Sequence, residues 1–106
     1  MKKNRAQVSE FDVAELLDSE NKIVAYLNAE LVEGDPHYVK IALQTIARAR
    51  NMNITEIAKK AQIPCATVYR TFSIDGNPEY RTMQKVIDAL GLQMLVVPKG
   101  THLKMQ

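Results

Sequence analysis

Residues 63–78 read IPCATVYRTFSIDGNP, and this stretch decides the fold that the sequence predicts. Pro64 can open a short helix because its fixed φ suits the first helical turn. Val68 and Phe72 lie four residues apart, and so share one face of that helix. The run Asp75-Gly76-Asn77-Pro78 consists of turn-forming residues. The stretch therefore predicts a short amphipathic helix between two turns.

A second short helix is predicted just before this stretch, with Asn53 as its N-cap. Its apolar residues recur at i, i+3, i+4 and i+7, namely Ile54, Ile57, Ala58 and Ala61. A turn of three or four residues around Ile63 joins the two helices. The small Ala58 lets the backbones approach where they cross, and Val68 packs back from the second helix. This pattern is typical of a helix-turn-helix, whose second helix can enter the major groove of DNA.

Helical signals continue on both sides of this pair. Further helices are predicted after Asp12, from Ser19 to Gly34, from Asp35-Pro36 to about Arg50, and from about Glu79 to Gly91. The last helix is expected to turn these side chains inward: Tyr80, Met83, Val86, Ile87 and Leu90. Residues 92–97 are apolar and β-capable, and predict a short C-terminal strand. The predicted fold class is all-α.

The length indicates a single domain, 1–106, with three parts of different role. These are acidic N-terminal helices at 10–34, a helix-turn-helix core at 35–91, and a C-terminal strand or tail at 92–106. Residues 10–35 hold eight acids and one base, a net charge of −7, whereas residues 40–70 hold six bases and one acid, a net charge of +5. This asymmetry predicts two surfaces with different partners, and its simpler alternative is a pair of solvated helix faces.

Several classes of protein are disfavoured by what the sequence lacks. The sequence has no run of 18 apolar residues, so it predicts no membrane span. The N-terminal MKKNRAQ is not followed by the apolar region of a signal peptide. The single cysteine, Cys65, favours a reducing cytoplasm. His37 and His102 are far apart, and no metal-ligand spacing or phosphate loop is present. We therefore predict neither an enzyme nor a cofactor.

Residues 36–90 resemble the five-helix, lambda-repressor-like domain of the Xre type. A closer resemblance is to antitoxins of the HigA-like "addiction module antidote" class. It is carried by SIDGNPEYRTMQKVIDALGL at 73–92, FDVAELLDSENKIVAYLNAELVEGDP at 11–36 and ALQTIARAR at 42–50. The family usually has glycine at the residue that opens the turn, where this chain has Gln62. A left-handed backbone is therefore expected at Gln62, at a cost of ~1 kcal/mol.

The resemblance implies DNA contacts on and around the second motif helix. The implied base contacts are Cys65, Ala66, Thr67 and Arg70. Arg70 is the strongest of them because a guanidinium can pair with both O6 and N7 of guanine, and its alternative is a solvated or ion-paired arginine. The expected contacts to the DNA backbone are Asn53, Lys59, Tyr69, Ser73, Asn77, Arg81 and Thr82. Each of these can equally be a cap or a surface residue.

The resemblance also implies protein partners. The acidic helices would bind a small, basic, RelE/HigB-like ribonuclease toxin through Glu15, Asp18, Glu20, Glu30 and Glu33. The chain would repress its own operon as a homodimer on an operator palindrome, paired either through residues 92–97 as an edge strand or through a late helix. The alternative for residues 92–97 is an intramolecular strand or an extended segment that covers the core. Two alternatives stay open: a stand-alone phage-type repressor, and a protein-interaction module whose helix-turn-helix does not read DNA.

Overall fold

The computed structural model describes residues 12–73 and 75–101, and within these ranges it contains a 3-10 turn and five α-helices. The turn spans Val13–Leu16. The helices are α1 (Glu20–Glu33), α2 (Pro36–Ala49), α3 (Ile54–Ala61), α4 (Cys65–Phe72) and α5 (Tyr80–Ala89). The described part of the chain is thus all-α, as the sequence predicts. The first predicted helix is only a 3-10 turn, because too few residues separate its cap from the next one to complete an α-helical nucleus.

The helix starts are built by the caps that the sequence predicts. Ser19 Oγ accepts a hydrogen bond from Lys22 N at 3.2 Å, and one Asp35 carboxylate oxygen accepts from His37 N at 3.0 Å. Asn53 forms a reciprocal capping box with Glu56, with distances of 2.8 and 2.9 Å. These short-range contacts explain why most helix boundaries agree with the pattern of the sequence.

The core forms where α2 passes between the N-terminal elements and the last three helices. α2 packs against the 3-10 turn, α1 and α4, and helices α3, α4 and α5 pack on one another. The largest fully buried side chains of the core are Leu43, Ile46, Ile57, Ile87, Leu90, Val68 and Val86. Ile23 and Leu27 extend this core into α1, so the acidic N-terminal region is part of the same packed unit.

One inward-facing assignment is wrong, and one buried residue was not predicted. Tyr80 is 68% exposed at the first position of α5. Thr71 is only 2% exposed and fills core volume beside the partly buried Phe72. Its hydroxyl donates to the Thr67 carbonyl at 2.8 Å, which satisfies the polar group inside its own helix.

The predicted C-terminal strand is wrong for the described residues. Residues 92–98 have no regular secondary structure, and the backbone of 93–97 makes no hydrogen bond to the backbone of any other described residue. Leu92 and Met94 pack against the core, which holds the segment on the domain without a neighbouring strand. This apolar, β-capable segment therefore lies on a surface formed by helices, and its backbone does not pair with a strand of the described residues.

The acidic and basic segments of the sequence pair with each other across the fold. Arg48 donates to Asp12 at 2.8 Å, and the two terminal nitrogens of Arg50 donate to the two carboxylate oxygens of Glu20, each at 2.8 Å. The buried Nε of Arg50 has no hydrogen-bond partner among the described residues. Some of the acidic and basic side chains that the sequence assigned to two separate surfaces therefore form ion pairs with each other.

These pairs predict a loss of stability in acid. The hydrogen bond from Arg50 holds the pKa of Glu20 below its usual value, and the hydrogen bond from Arg48 lowers the pKa of Asp12. A depressed folded-state pKa stabilises the protein above the unfolded pKa of about 4, and this stabilisation is lost as pH falls through the folded pKa. Urea unfolding of wild type and Arg50→Gln at several pH values between neutral and strongly acidic tests this. We expect Arg50→Gln to be the less stable protein at neutral pH and the difference to shrink in acid. A difference independent of pH would contradict the assignment.

Candidate nucleic-acid interface

Helix α4 buries one face and presents the other to solvent. Val68 and Thr71 are buried, whereas the opposite side carries exposed residues at i, i+1, i+4 and i+5: Cys65, Ala66, Tyr69 and Arg70. Residues at these spacings are neighbours on a helix surface, so they form one continuous face. Three of the four predicted base contacts, Cys65, Ala66 and Arg70, lie on this face, and Thr67 is partly buried at its edge.

The turn between α3 and α4 adopts the geometry that the family resemblance implies. Gln62 has φ 60° and ψ 45°, a left-handed conformation, at the C-terminal end of α3. The Ile63 N–H then donates to the Ala58 carbonyl at 3.1 Å, which closes the end of the helix. Ala58 is buried and Ile63 packs partly buried against the core, as expected for the inside of such a turn. The strained Gln62 therefore directs α4 across α3.

A cleft of about 370 Å³ separates α4 from the start of α5. It is lined by Thr67, Arg70, Thr71, Asn77, Pro78, Glu79 and Thr82. The structure thus brings together two predicted base contacts and two predicted backbone contacts around one opening. The pattern of the sequence did not single out Glu79, which adds a carboxylate to this otherwise neutral and basic cleft. The one sequence feature that could have indicated Glu79 is its position at the start of the predicted last helix, where it is the N-cap of α5.

The loop that connects α4 to α5 is held by two side chains of α2. Lys40 Nζ donates to the Ser73 carbonyl at 2.8 Å and also to the Gly76 carbonyl. Gln44 Nε2 donates to the Phe72 carbonyl at 3.1 Å. Lys40 is 6% exposed, so it is a structural cation rather than part of a basic surface. No local pattern indicates this role, since the bonded groups are 33 and 36 residues away along the chain.

Gly76 is required at the centre of this loop. A Cβ placed on Gly76 would stand 1.9 Å from the Arg70 carbonyl oxygen, at the C-terminal end of α4. Ser73 also bonds this carbonyl, because its Oγ donates to it at 2.9 Å. The GNP turn therefore packs directly against the last turn of α4 and sets the position of Asn77 beside the cleft.

The remaining predicted backbone contacts do not line this cleft. Lys59, Tyr69 and Arg81 are exposed on α3, α4 and α5, respectively. Asn53 lies instead in a second, more open cleft of about 580 Å³, together with Asp12 and Glu15 of the N-terminal turn. The acidic turn is therefore a neighbour of the N-terminus of α3, a proximity that the sequence did not indicate.

The five predicted toxin-binding acids lie in different surroundings. Asp18 pairs with Lys22 at 3.0 Å and Glu20 pairs with Arg50, so both carboxylates already have partners within the chain. Glu15 is exposed beside the second cleft, Glu33 is exposed at the end of α1, and Glu30 is partly buried. The structure therefore separates these acids along the N-terminal elements rather than gathering them at one point.

The described residues lack two other features. They contain no group of three or more His, Cys, Asp or Glu side chains placed to hold a metal ion. Within the same residues, no helix has both the length and the apolar character needed to cross a membrane.

Comparison with known proteins assigns the family. A family model described as "Probable addiction module antidote protein" matches residues 7–98. An uncharacterized protein of Haemophilus influenzae is 46% identical over 90 residues, which cover 85% of this chain and 91% of that relative. No solved structure matches the chain. Since the model spans most of the sequence, the chain belongs to the probable addiction module antidote proteins, the antitoxins of toxin–antitoxin modules.

Proposed function

We propose that this antitoxin acts in the cytoplasm as a dimeric, sequence-specific DNA-binding autorepressor and also neutralises a small, basic, RelE/HigB-like ribonuclease toxin. In this proposal α3 and α4 are the helix-turn-helix of a lambda-repressor-like, Xre-type domain of the HigA-like class. The observation that carries it is the exposed face of α4, which meets the start of α5 across a cleft lined by Arg70, Asn77 and Thr82.

The chemistry of this face suits a DNA groove. Cys65 and Ala66 are small, so they permit close approach of the helix to base edges, and Ala66 can contact a thymine methyl group. Arg70 supplies a bidentate donor for guanine. In this proposal Asn77 and Thr82 contact the sugar-phosphate strand, which would fix the register of α4 without reading sequence.

The DNA arm of the proposal is tested by binding to the duplex upstream of the chain's own reading frame. We expect the wild-type protein to bind this duplex far more tightly than a scrambled duplex of equal length, with an affinity that falls as salt rises. Fluorescence anisotropy at two salt concentrations measures both properties. Equal affinity for the two duplexes would reject sequence-specific repression and favour the interaction module.

Glu79 provides a separate prediction about the same cleft. Its carboxylate would lie close to phosphate if the cleft straddles a DNA strand, and so would weaken binding by repulsion. We expect Glu79→Gln to bind operator DNA several-fold more tightly, with the gain largest at low salt. Asp88→Asn is a matched control, because Asp88 is an exposed acid of α5 that does not line the cleft. Equal gains for both variants would show only a change in net charge.

The toxin arm is supported by the family and by the exposed acids Glu15 and Glu33. Acidic side chains can attract a basic partner and so speed its association. Deleting residues 10–34 would not test this cleanly, since Ile23 and Leu27 would be lost from the core. Charge reversal at exposed positions avoids that problem.

We expect the double variant Glu15→Lys, Glu33→Lys to reduce co-purification of the toxin encoded beside this gene while operator binding remains. Asp88→Lys, an exposed acid of α5, is the control and should keep the toxin bound. Undiminished toxin recovery with the double variant would place the toxin surface elsewhere. A gene without a neighbouring toxin would instead favour the stand-alone repressor.

A further inference from the structure

Tyr69 is the bulkiest side chain on the exposed face of α4. Val68 and Thr71 bury the opposite side of the helix, whereas Tyr69 is 64% exposed. Tyrosine is enriched at interfaces, because its ring supplies apolar contact area and its hydroxyl supplies a hydrogen bond. The exposed ring of Tyr69 therefore has the chemistry of a contact with a partner.

The described part of the chain does not use this side chain for its own structure. The Tyr69 hydroxyl makes no hydrogen bond to another described residue, and the ring pairs with no other aromatic ring among them. Two neighbours on the same helix differ in this respect. The Thr71 hydroxyl donates to the Thr67 carbonyl, and Phe72 packs against the core. Tyr69 thus leaves its ring and its hydroxyl available to a partner.

The position of Tyr69 around the axis of α4 is that of a base contact rather than a backbone contact. At about 3.6 residues per turn, Tyr69 lies between Cys65 and Ala66 around the axis, since it follows them by four and three residues. Cys65, Ala66 and Arg70 are the implied base contacts of the same exposed face. Tyr69 falls within the arc that these residues span, whereas a side chain that reaches phosphate would lie at the edge of the arc.

The neighbours of Tyr69 leave its ring room to reach a base. A helical side chain leans toward the N-terminus of its helix, and so lies over the residues three and four positions before it. For Tyr69 these residues are Ala66 and Cys65, whose side chains are both short. The N-terminal half of such a helix is the part that contacts base edges. The ring of Tyr69 extends farther from this half of α4 than either short side chain, and so would meet the bases first.

The chemistry of the ring selects one kind of base. In the major groove, thymine alone among the four bases presents a methyl group, and apolar side chains recognise thymine through it. We propose that Tyr69 is a specificity-determining residue whose ring contacts the C5-methyl group of a thymine in each half of the operator. The inference rests on the proposed function, because it requires α4 to lie in the major groove. It deepens that proposal by naming a base that α4 selects.

The test uses operator duplexes in which each thymine in turn is replaced by deoxyuridine, which lacks only the C5-methyl group. We expect wild type to bind one such duplex about fourfold more weakly, a factor that corresponds to about 0.8 kcal/mol for one buried methyl-sized group. Tyr69→Ala should bind this duplex and the unmodified operator equally. Tyr69→Phe should keep the difference, because it keeps the ring. Fluorescence anisotropy measures all of these affinities.

Tyr80→Ala is the matched control for loss of an exposed ring. Tyr80 is 68% exposed on α5 and does not line the cleft between α4 and α5. The control should lose as much affinity as wild type when the critical thymine is replaced by deoxyuridine. Tyr69→Ala changes an exposed position to a residue that favours helices, so it should keep the fold, which circular dichroism verifies.

The outcomes separate this inference from the proposed function. If every thymine that matters to wild type matters equally to Tyr69→Ala, the inference is overturned and the methyl contact belongs to Ala66 or another residue. The inference is also overturned if Tyr69→Ala weakens binding to operator and scrambled DNA alike, since Tyr69 would then contact the DNA backbone. A wild-type protein that binds the operator but responds to no deoxyuridine overturns it too. A wild-type protein that does not distinguish the operator from a scrambled duplex rejects the proposed function, and the inference with it.

Discussion

Replacing Lys40 with alanine is expected to lower the free energy of unfolding by about 2–4 kcal/mol, because it removes hydrogen bonds from a charged donor and leaves two loop carbonyls without it. The Lys40 ammonium is the contact between α2 and the carbonyls of Ser73 and Gly76. Chemical denaturation of wild type and variant measures the loss. Lys60→Ala is the matched control, since Lys60 is exposed and its loss should change stability by less than about 0.5 kcal/mol.

A second variant separates hydrogen bonding from packing at this position. Lys40→Met keeps most of the side-chain volume but cannot donate to the loop, so it should remain clearly less stable than wild type. We also expect both variants to bind operator DNA more weakly at temperatures where they are folded, because the loop positions Asn77 beside α4. A Lys40→Met protein as stable as wild type would show that the ammonium contributes little beyond its methylenes.

Replacing Arg70 with alanine is expected to weaken operator binding by roughly fivefold to 150-fold, the loss of ~1–3 kcal/mol that accompanies a bidentate contact with guanine. The exposed position of Arg70 beside the α4–α5 cleft leaves its guanidinium free to reach a base edge. Specificity should fall with affinity, so the operator and a scrambled duplex should become more alike. Competition titrations with the two duplexes measure this ratio.

Two controls distinguish base reading from charge. Arg70→Lys keeps the charge but loses the planar fork, and so should resemble Arg70→Ala in specificity. Arg81→Ala removes an exposed arginine of α5, and should weaken binding to the operator and to scrambled DNA alike. The slope of log affinity against log salt concentration should also fall by about the value of one phosphate contact. If Arg70→Ala also weakened both duplexes equally, Arg70 would be a phosphate contact and the bases would be read elsewhere on α4.

Local patterns in the sequence were sufficient for most of the helices. The caps at Ser19, Asp35 and Asn53 each bond within three residues, so the residues that form them are neighbours in the sequence. The left-handed Gln62 was implied by the resemblance, because the related proteins usually have glycine at the residue that opens this turn. The exposed face of α4 also follows from local spacing, because burial of Val68 leaves its opposite side free.

Tertiary structure alone decided how charges and loops are used. Lys40 reads as one base among six, but burial and two distant carbonyls make it the anchor of the α4–α5 loop. Arg50 and Glu20 lie 30 residues apart, and their pairing reassigns charges that the sequence placed on separate surfaces. Residues 92–97 have the composition of a strand, but the described fold offers them no strand to pair with. Contacts within a few residues are encoded by spacing, whereas contacts between distant residues exist only once the helices have packed.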